Sequence, residues 1–119
     1  MQVISVRTHN ILDYVVGVLL ILVPYILGFA NGGPEQWVPQ VVGVLTILVS
    51  LITAYEFSLA KVVPFPVHLA LDGLMGVLLL VSPWLFGFAE RIWWPHVLAG
   101  IIYVVVPILS RRAGPTTAS

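Results

Sequence analysis

One stretch of this chain occurs twice. Residues 9–30 return 59 positions later at 68–89, with His9/His68, Asp13/Asp72, Gly17/Gly76, Pro24/Pro83, Gly28/Gly87 and Phe29/Phe88 matched in type. A fixed internal period of this size marks one supersecondary unit used twice, so whatever the first copy folds into must also suit the second.

Composition selects the solvent for that unit. Hydrophobic residues make up 60% of the 119 residues, charged residues only 8%, and the mean hydropathy is +1.07. Soluble domains carry about a quarter charged residues, and a chain this short has no core large enough to hide so much apolar surface. Lipid is therefore the expected surroundings.

Four apolar stretches, at 11–29, 38–55, 67–88 and 97–109 with Trp93 and Trp94 just ahead of the last, are long enough or nearly so to cross the bilayer as helices of roughly 20 residues. Turn formers and charge separate them at 31–35, 56–66 and 90–91. The fold expected is all-α: a four-transmembrane-helix bundle in a single domain over 1–119. It consists of two tandem two-helix repeats, about 9–56 and 68–110, followed by a disordered cytoplasmic tail at 111–119. An even number of helices per repeat makes the copies parallel, with a pseudo-two-fold axis along the membrane normal, so equivalent residues share a depth.

The first stretch follows Arg7 in the manner of a secretory signal. It is longer than a signal core, contains Asp13, and has a copy in mid-chain where no signal can act, so a mature start at or near Met1 is expected. Arg7, Lys61, Arg111 and Arg112 fall on the side of the termini and only Arg91 on the other. The positive-inside rule then puts both termini in the cytoplasm. Cysteine is absent, which removes disulfides and thiolate chemistry.

Ser82, Pro83, Trp84, Leu85, Phe86, Gly87 and Phe88 stand late in the third stretch, and Val23, Pro24 and Tyr25 with Gly28 and Phe29 hold the same place in the first. These residues resemble the signature of the SPW-repeat membrane proteins, small bacterial proteins in which Ser-Pro-Trp marks the first helix of each two-helix repeat. The resemblance spans about residues 9–110. It implies the fold and a bacterial inner-membrane location, and it carries no established activity. Independently of any family, Pro24 and Pro83 each remove one helix hydrogen bond and are expected to kink the helix. Gly28 and Gly87 can end it, and Tyr25, Phe29, Trp84 and Phe88 suit the headgroup level beside Trp37, Trp93 and Trp94.

His9, Asp13 and Gly17 follow at i, i+4 and i+8, as do His68, Asp72 and Gly76, so each triplet lies on one helical face. Gly17, Gly43, Gly73, Gly76 and Gly100 offer the close backbone approach by which helices associate in lipid, which favours a tight bundle and suits a homo-oligomer or another membrane protein as partner. Ionisable residues on membrane helices are costly and mark functional hypotheses. If the first and third helices face each other, His9, Asp13, His68 and Asp72 supply two nitrogen and two oxygen ligands, with Glu56 as a further oxygen. That set suits a divalent metal such as zinc, manganese or iron. The structural alternative is that the pairs fix helix ends near the interface through the helix dipole and local hydrogen bonds. A third possibility makes His9 and His68 axial ligands of a haem b. His96, beside Trp94 and Pro95, is expected at the outer interface.

No phosphate loop, nucleophile elbow or His-Glu-x-x-His helix occurs, and Ser5, Ser50, Ser58, Ser82 and Ser110 stand at no diagnostic spacing from a histidine. Five basic residues against five acidic ones form no basic stripe, which excludes nucleic acid as a partner. A monomeric conduction path would cross apolar stretches at 18–23 and 77–81, so transport or channel activity needs an oligomer. The expected role is a non-enzymatic structural or interaction component, with binding of a metal or haem as the alternative and a subunit of an oligomeric transporter or channel as the third.

Overall fold

The computed structural model describes residues 3–53 and 58–110. They form four helices: α1 (Val6–Ile26), α2 (Pro34–Leu51), α3 (Phe65–Leu85) and α4 (Trp94–Leu109). No strand occurs among the described residues, only two isolated bridges. α1 starts where the Ser5 hydroxyl accepts the Thr8 N–H, and α2 starts at a proline whose missing N–H is harmless in a first turn. α2 thus begins four residues ahead of the apolar run and ends at Leu51. Glu56, with the rest of 54–57, lies outside the described residues, as does the tail 111–119. α1 and α3 are each 21 residues long and apolar enough to cross a membrane; α4 is a shorter apolar helix of 16. Large apolar side chains such as Val15, Leu19, Leu48, Val77, Ile101 and Val105 cover the exterior.

The proline motif closes α1 and α3 in the same way. Pro24 and Pro83 sit inside their helices, which continue to Ile26 and Leu85. Gly28 and Gly87 then take φ of 79° and 75°, the left-handed region that glycine enters without a Cβ penalty. This turns the next N–H back, so that Phe29 donates to the Pro24 carbonyl and Phe88 to the Pro83 carbonyl, each at 2.8 Å, the bond that defines a Schellman cap. Tyr25 and Trp84 point outward, 61% exposed in both cases. Phe29 and Phe88 do not face outward with them: the cap turns both inward, and they are buried at 8% and 0% exposure.

Each hairpin closes on a glycine pair. A Cβ on Gly43 would lie 2.5 Å from the Gly17 carbonyl oxygen, and one on Gly100 would lie 2.8 Å from the Gly76 carbonyl oxygen. α1 therefore meets α2, and α3 meets α4, backbone against backbone. Gly73 packs against no other helix of this chain, since a Cβ there would meet nothing within 4 Å. Between the hairpins lies a small core of Leu20, Val38, Val42, Leu79, Ala99 and Tyr103. In its midst the Thr46 hydroxyl donates to the Val42 carbonyl at 2.8 Å and so accepts from the Tyr103 hydroxyl at 2.6 Å, tying α2 to α4.

Candidate functional site

α1 and α3 face each other at the depth of their duplicated histidines. His9 and Asp13 share one face of α1, His68 and Asp72 one face of α3, and all four are buried. The close contacts run between the repeats. His9 Nε2 lies 2.9 Å from Asp72 Oδ2, and His68 Nε2 lies 2.7 Å from Asp13 Oδ2. The contacts within a helix are longer, 3.3 Å from His9 to Asp13 and 3.4 Å from His68 to Asp72. One ligand atom from each residue falls within 4.8 Å of all the others.

Two hydroxyls orient the imidazoles. Ser110 Oγ donates to the Val106 carbonyl at 2.6 Å and therefore accepts from His9 Nδ1–H at 2.7 Å. Thr53 Oγ1 donates to the Val49 carbonyl at 2.6 Å and accepts from His68 Nδ1–H at 2.7 Å. Each hydroxyl has one proton and spends it on its own helix, so both imidazoles carry a hydrogen on Nδ1 and turn Nε2 to the carboxylates. Backbone bridges hold the hydroxyls in place: Ile4, ahead of α1, pairs with Ser110, and Val63, ahead of α3, pairs with Thr53. These links again join opposite repeats. Ser50 Oγ adds a longer hydrogen bond of 3.3 Å to Asp13 Oδ2.

The four N–O separations of the cluster come near those of a cation site, and all four ligand atoms lie within 4.8 Å of one another. Tetrahedral ligand atoms bound at 2.0–2.2 Å stand about 3.3–3.6 Å apart, and the four N–O separations here run from 2.7 to 3.4 Å. Side-chain movements of a few tenths of an ångström open the shorter pair to that spacing. Two axial haem histidines, by contrast, stand on opposite faces of a flat macrocycle. Here the imidazole rings are perpendicular, 5.7 Å apart, with two carboxylates reaching the same Nε2 atoms, and no macrocycle fits between them.

Asn10, next to His9, is fully buried, and neither atom of its amide has a hydrogen-bond partner. Its counterpart in the second repeat is Leu69, which packs with Val6 and Phe65. An unsatisfied buried amide costs about 1–3 kcal/mol. Asn10→Leu should therefore raise stability in detergent by about 1–2 kcal/mol, read from the midpoint of reversible unfolding; an unchanged or lower midpoint would refute the expectation.

A second polar cluster closes the opposite end. The Glu35 carboxylate, 1% exposed, takes a two-point contact from Arg91, with the Nη2 to Oε1 arm at 3.2 Å, and a hydrogen bond from Asn31 Nδ2 at 2.8 Å. The carboxylate raises the Arg91 pKa by holding the guanidinium charged. His96 does not lie on the surface. It is 1% exposed, donates from Nε2 to the Glu35 carbonyl at 2.9 Å, and has the inturned Phe88 and Phe29 rings beside it with centroids at 4.7 and 5.5 Å. This cluster also ties the first repeat to the second.

The i, i+4 spacing marks His9, Asp13, His68 and Asp72, whereas Thr53, Ser110, Ser50 and Tyr103 carry no local signal. The helices that hold them correspond at 57 positions rather than 59, as Gly43/Gly100, Thr46/Tyr103 and Thr53/Ser110 show. A search at that second shift exposes Thr53 and Ser110 as a matched pair of hydroxyls.

A duplicated helical hairpin with apolar exterior, two spans of membrane length and a buried His-Asp centre defines a small helical membrane protein. The SPW repeat domain matches residues 7–110, nearly the whole chain, and the protein belongs to that family. No curated protein and no solved structure matches the chain.

Proposed function

We propose that this SPW-repeat protein holds one divalent cation, with zinc, manganese and iron as candidates, between its two repeats through His9, Asp13, His68 and Asp72. The convergence of both His-Asp pairs on one point carries this reading. Charge is met by it as well: two neutral imidazoles and two carboxylates sum to −2, which one divalent cation cancels, as two imidazole protons would in its absence, and net charge is what apolar surroundings penalise most. Orientation of each imidazole by a hydroxyl on its other nitrogen is the usual support of a metal-bound histidine. Four protein ligands leave no open position, so the centre is structural and the protein non-enzymatic. Arg7 and Lys61, near the end that holds the centre, and Arg91 at the other end support a cytoplasmic location for the centre and both termini. The family resemblance supports the bacterial inner membrane.

The test is elemental analysis of detergent-purified protein beside a folded His68→Ala, Asp72→Asn variant. About one zinc, manganese or iron per chain, lost from the variant, is expected. Metal-free wild-type protein after supplementation with each ion would overturn the proposal. In that event the second reading stands, in which the cluster is a polar clasp between the repeats and the carboxylates are balanced by protons on the imidazoles. The observation favouring it is that every short link in the cluster joins one repeat to the other.

The hydroxyls supply a separate expectation. Ser110→Ala or Thr53→Val keeps all four ligands but releases one imidazole, so metal affinity should fall about 10–100-fold. Competition with a chromophoric chelator measures this, and affinities within twofold of wild type would contradict the supporting role.

A further inference from the structure

The duplication provides an internal control, because the centre has two flanks built from corresponding residues. On the flank between α2 and α3, Ser50 donates a hydrogen bond to Asp13, and Met75 reaches across to Thr46, with sulfur and hydroxyl 3.9 Å apart. On the flank between α1 and α4 the counterpart of Ser50 is Pro107, which has no side-chain donor, and the counterpart of Met75 is the shorter Val16. A cavity of about 170 Å³ lies there, lined by Leu12, Val16, Ile102 and Val106 with Asp13 and Asp72 also on its wall. Asp72 Oδ1 is buried and accepts no hydrogen bond, its ion-pair contact being His68 Nε2 at 3.4 Å. The second flank thus lacks both things that the first possesses, a donor to the carboxylate and apolar bulk beside it.

We infer that the cavity between α1 and α4 binds a lipid-phase alcohol or phenol, whose hydroxyl donates to Asp72 and whose compact apolar body fills the space that Met75 fills on the other flank. An apolar protein cavity of about 150 Å³ accepts a benzene-sized body, so the volume suits a small ring or a short branched chain. Ile102, on the wall, is itself exposed on the helix surface, which gives such a molecule a route from the lipid. The hydroxyl decides selectivity: Asp13 and Asp72 on the wall only accept, and Tyr103, also on the wall, has its proton engaged by Thr46, so the site prefers a donor over an isosteric hydrocarbon. The inference shares Asp72 with the proposed metal centre but does not rest on a metal, since a carboxylate that binds a cation through one oxygen keeps the other for a donor.

The probe is a benzyl alcohol carrying a photoreactive diazirine, applied to the full chain in detergent micelles, with adducts located by peptide mass spectrometry. Labelling of α1 and α4 around Leu12, Val16, Ile102 and Val106 is expected. Benzyl alcohol should compete about tenfold more strongly than toluene, the difference that one hydrogen bond to a charged acceptor makes. Val16→Met, which restores the bulk of the other flank, should abolish labelling there; Pro107→Ser, which restores the donor, should narrow the gap between alcohol and toluene to within about threefold. Either variant suffices if the other fails to fold. Equal competition by toluene would show an apolar void without a hydroxyl site. Absence of adducts, as for a cavity holding only water, or labelling indifferent to both substitutions would equally overturn the inference. Metal content, measured separately, keeps the fate of the two proposals apart.

Discussion

Leucine in place of Asp72 alone is expected to destabilise the protein by about 3–5 kcal/mol, the typical cost of removing one partner from a buried ionic cluster. The reason is charge. Whether a divalent cation or two imidazole protons balance the pair of carboxylates, deleting one leaves a positive charge in apolar surroundings without a counter-charge. Deleting the whole cluster leaves none. A quadruple variant with His9→Leu, Asp13→Val, His68→Leu and Asp72→Val should therefore be far more stable than Asp72→Leu and within about 1–2 kcal/mol of wild type, since apolar replacement of a complete ionic cluster is often neutral or favourable. Ser110 and Thr53 survive this replacement because each still donates to its own helix carbonyl. Reversible unfolding in mixed micelles, followed by far-ultraviolet circular dichroism, measures both variants. If the quadruple variant were as unstable as the single one, the cluster would contribute net stability rather than specify how the repeats meet.

Gly43→Ala should be similarly severe, near 3 kcal/mol, the upper end of the range for overpacking. The added methyl would sit 2.5 Å from the Gly17 carbonyl oxygen, and a backbone atom has no rotamer by which to retreat. α1 and α2 must separate, which also draws Asp13 away from Ser50. Gly73→Ala is the control, on a helix of the same kind with open space around it. There the substitution should be neutral or stabilising by up to about 1 kcal/mol, because alanine loses less backbone entropy on folding into a helix than glycine does. Equal effects at the two positions would show that the glycines matter through flexibility rather than proximity.

Much of this architecture is legible in the residues themselves. Repetition at 59 positions, the i, i+4 pairs and the apolar runs identify α1, α3 and the four centre residues, because each is a local pattern in one strongly periodic segment. What fails is whatever depends on contacts between segments. Phe29 and Phe88 look like belt residues from their neighbours Tyr25 and Trp84, and only the left-handed turn at Gly28 and Gly87 sends them inside. His96 sits among interfacial tryptophans in the sequence, yet the Glu35 carbonyl that receives its proton comes from the other repeat. Gly73 has the same local appearance as Gly76 but lies about 60° around the helix from it, where a Cβ would meet nothing within 4 Å. The serine and threonine that orient the histidines are hidden by the shift of two residues between the first and second helices of each repeat.

The links of the centre have a consequence for the order in which the protein is made. His9 emerges early in synthesis, but the hydroxyl that holds it, Ser110, stands at the far end of α4, and the carboxylate it meets, Asp72, lies in α3. Chains are built from the N-terminus, so the first hairpin enters the bilayer with His9 and Asp13 still lacking their opposite numbers. The translocation machinery thus has to tolerate a half-finished pair until the second hairpin arrives, and a chain truncated ahead of α3 would display that pair to whatever degrades incomplete membrane proteins. The duplicated centre is in this way assembled only once both hairpins are present.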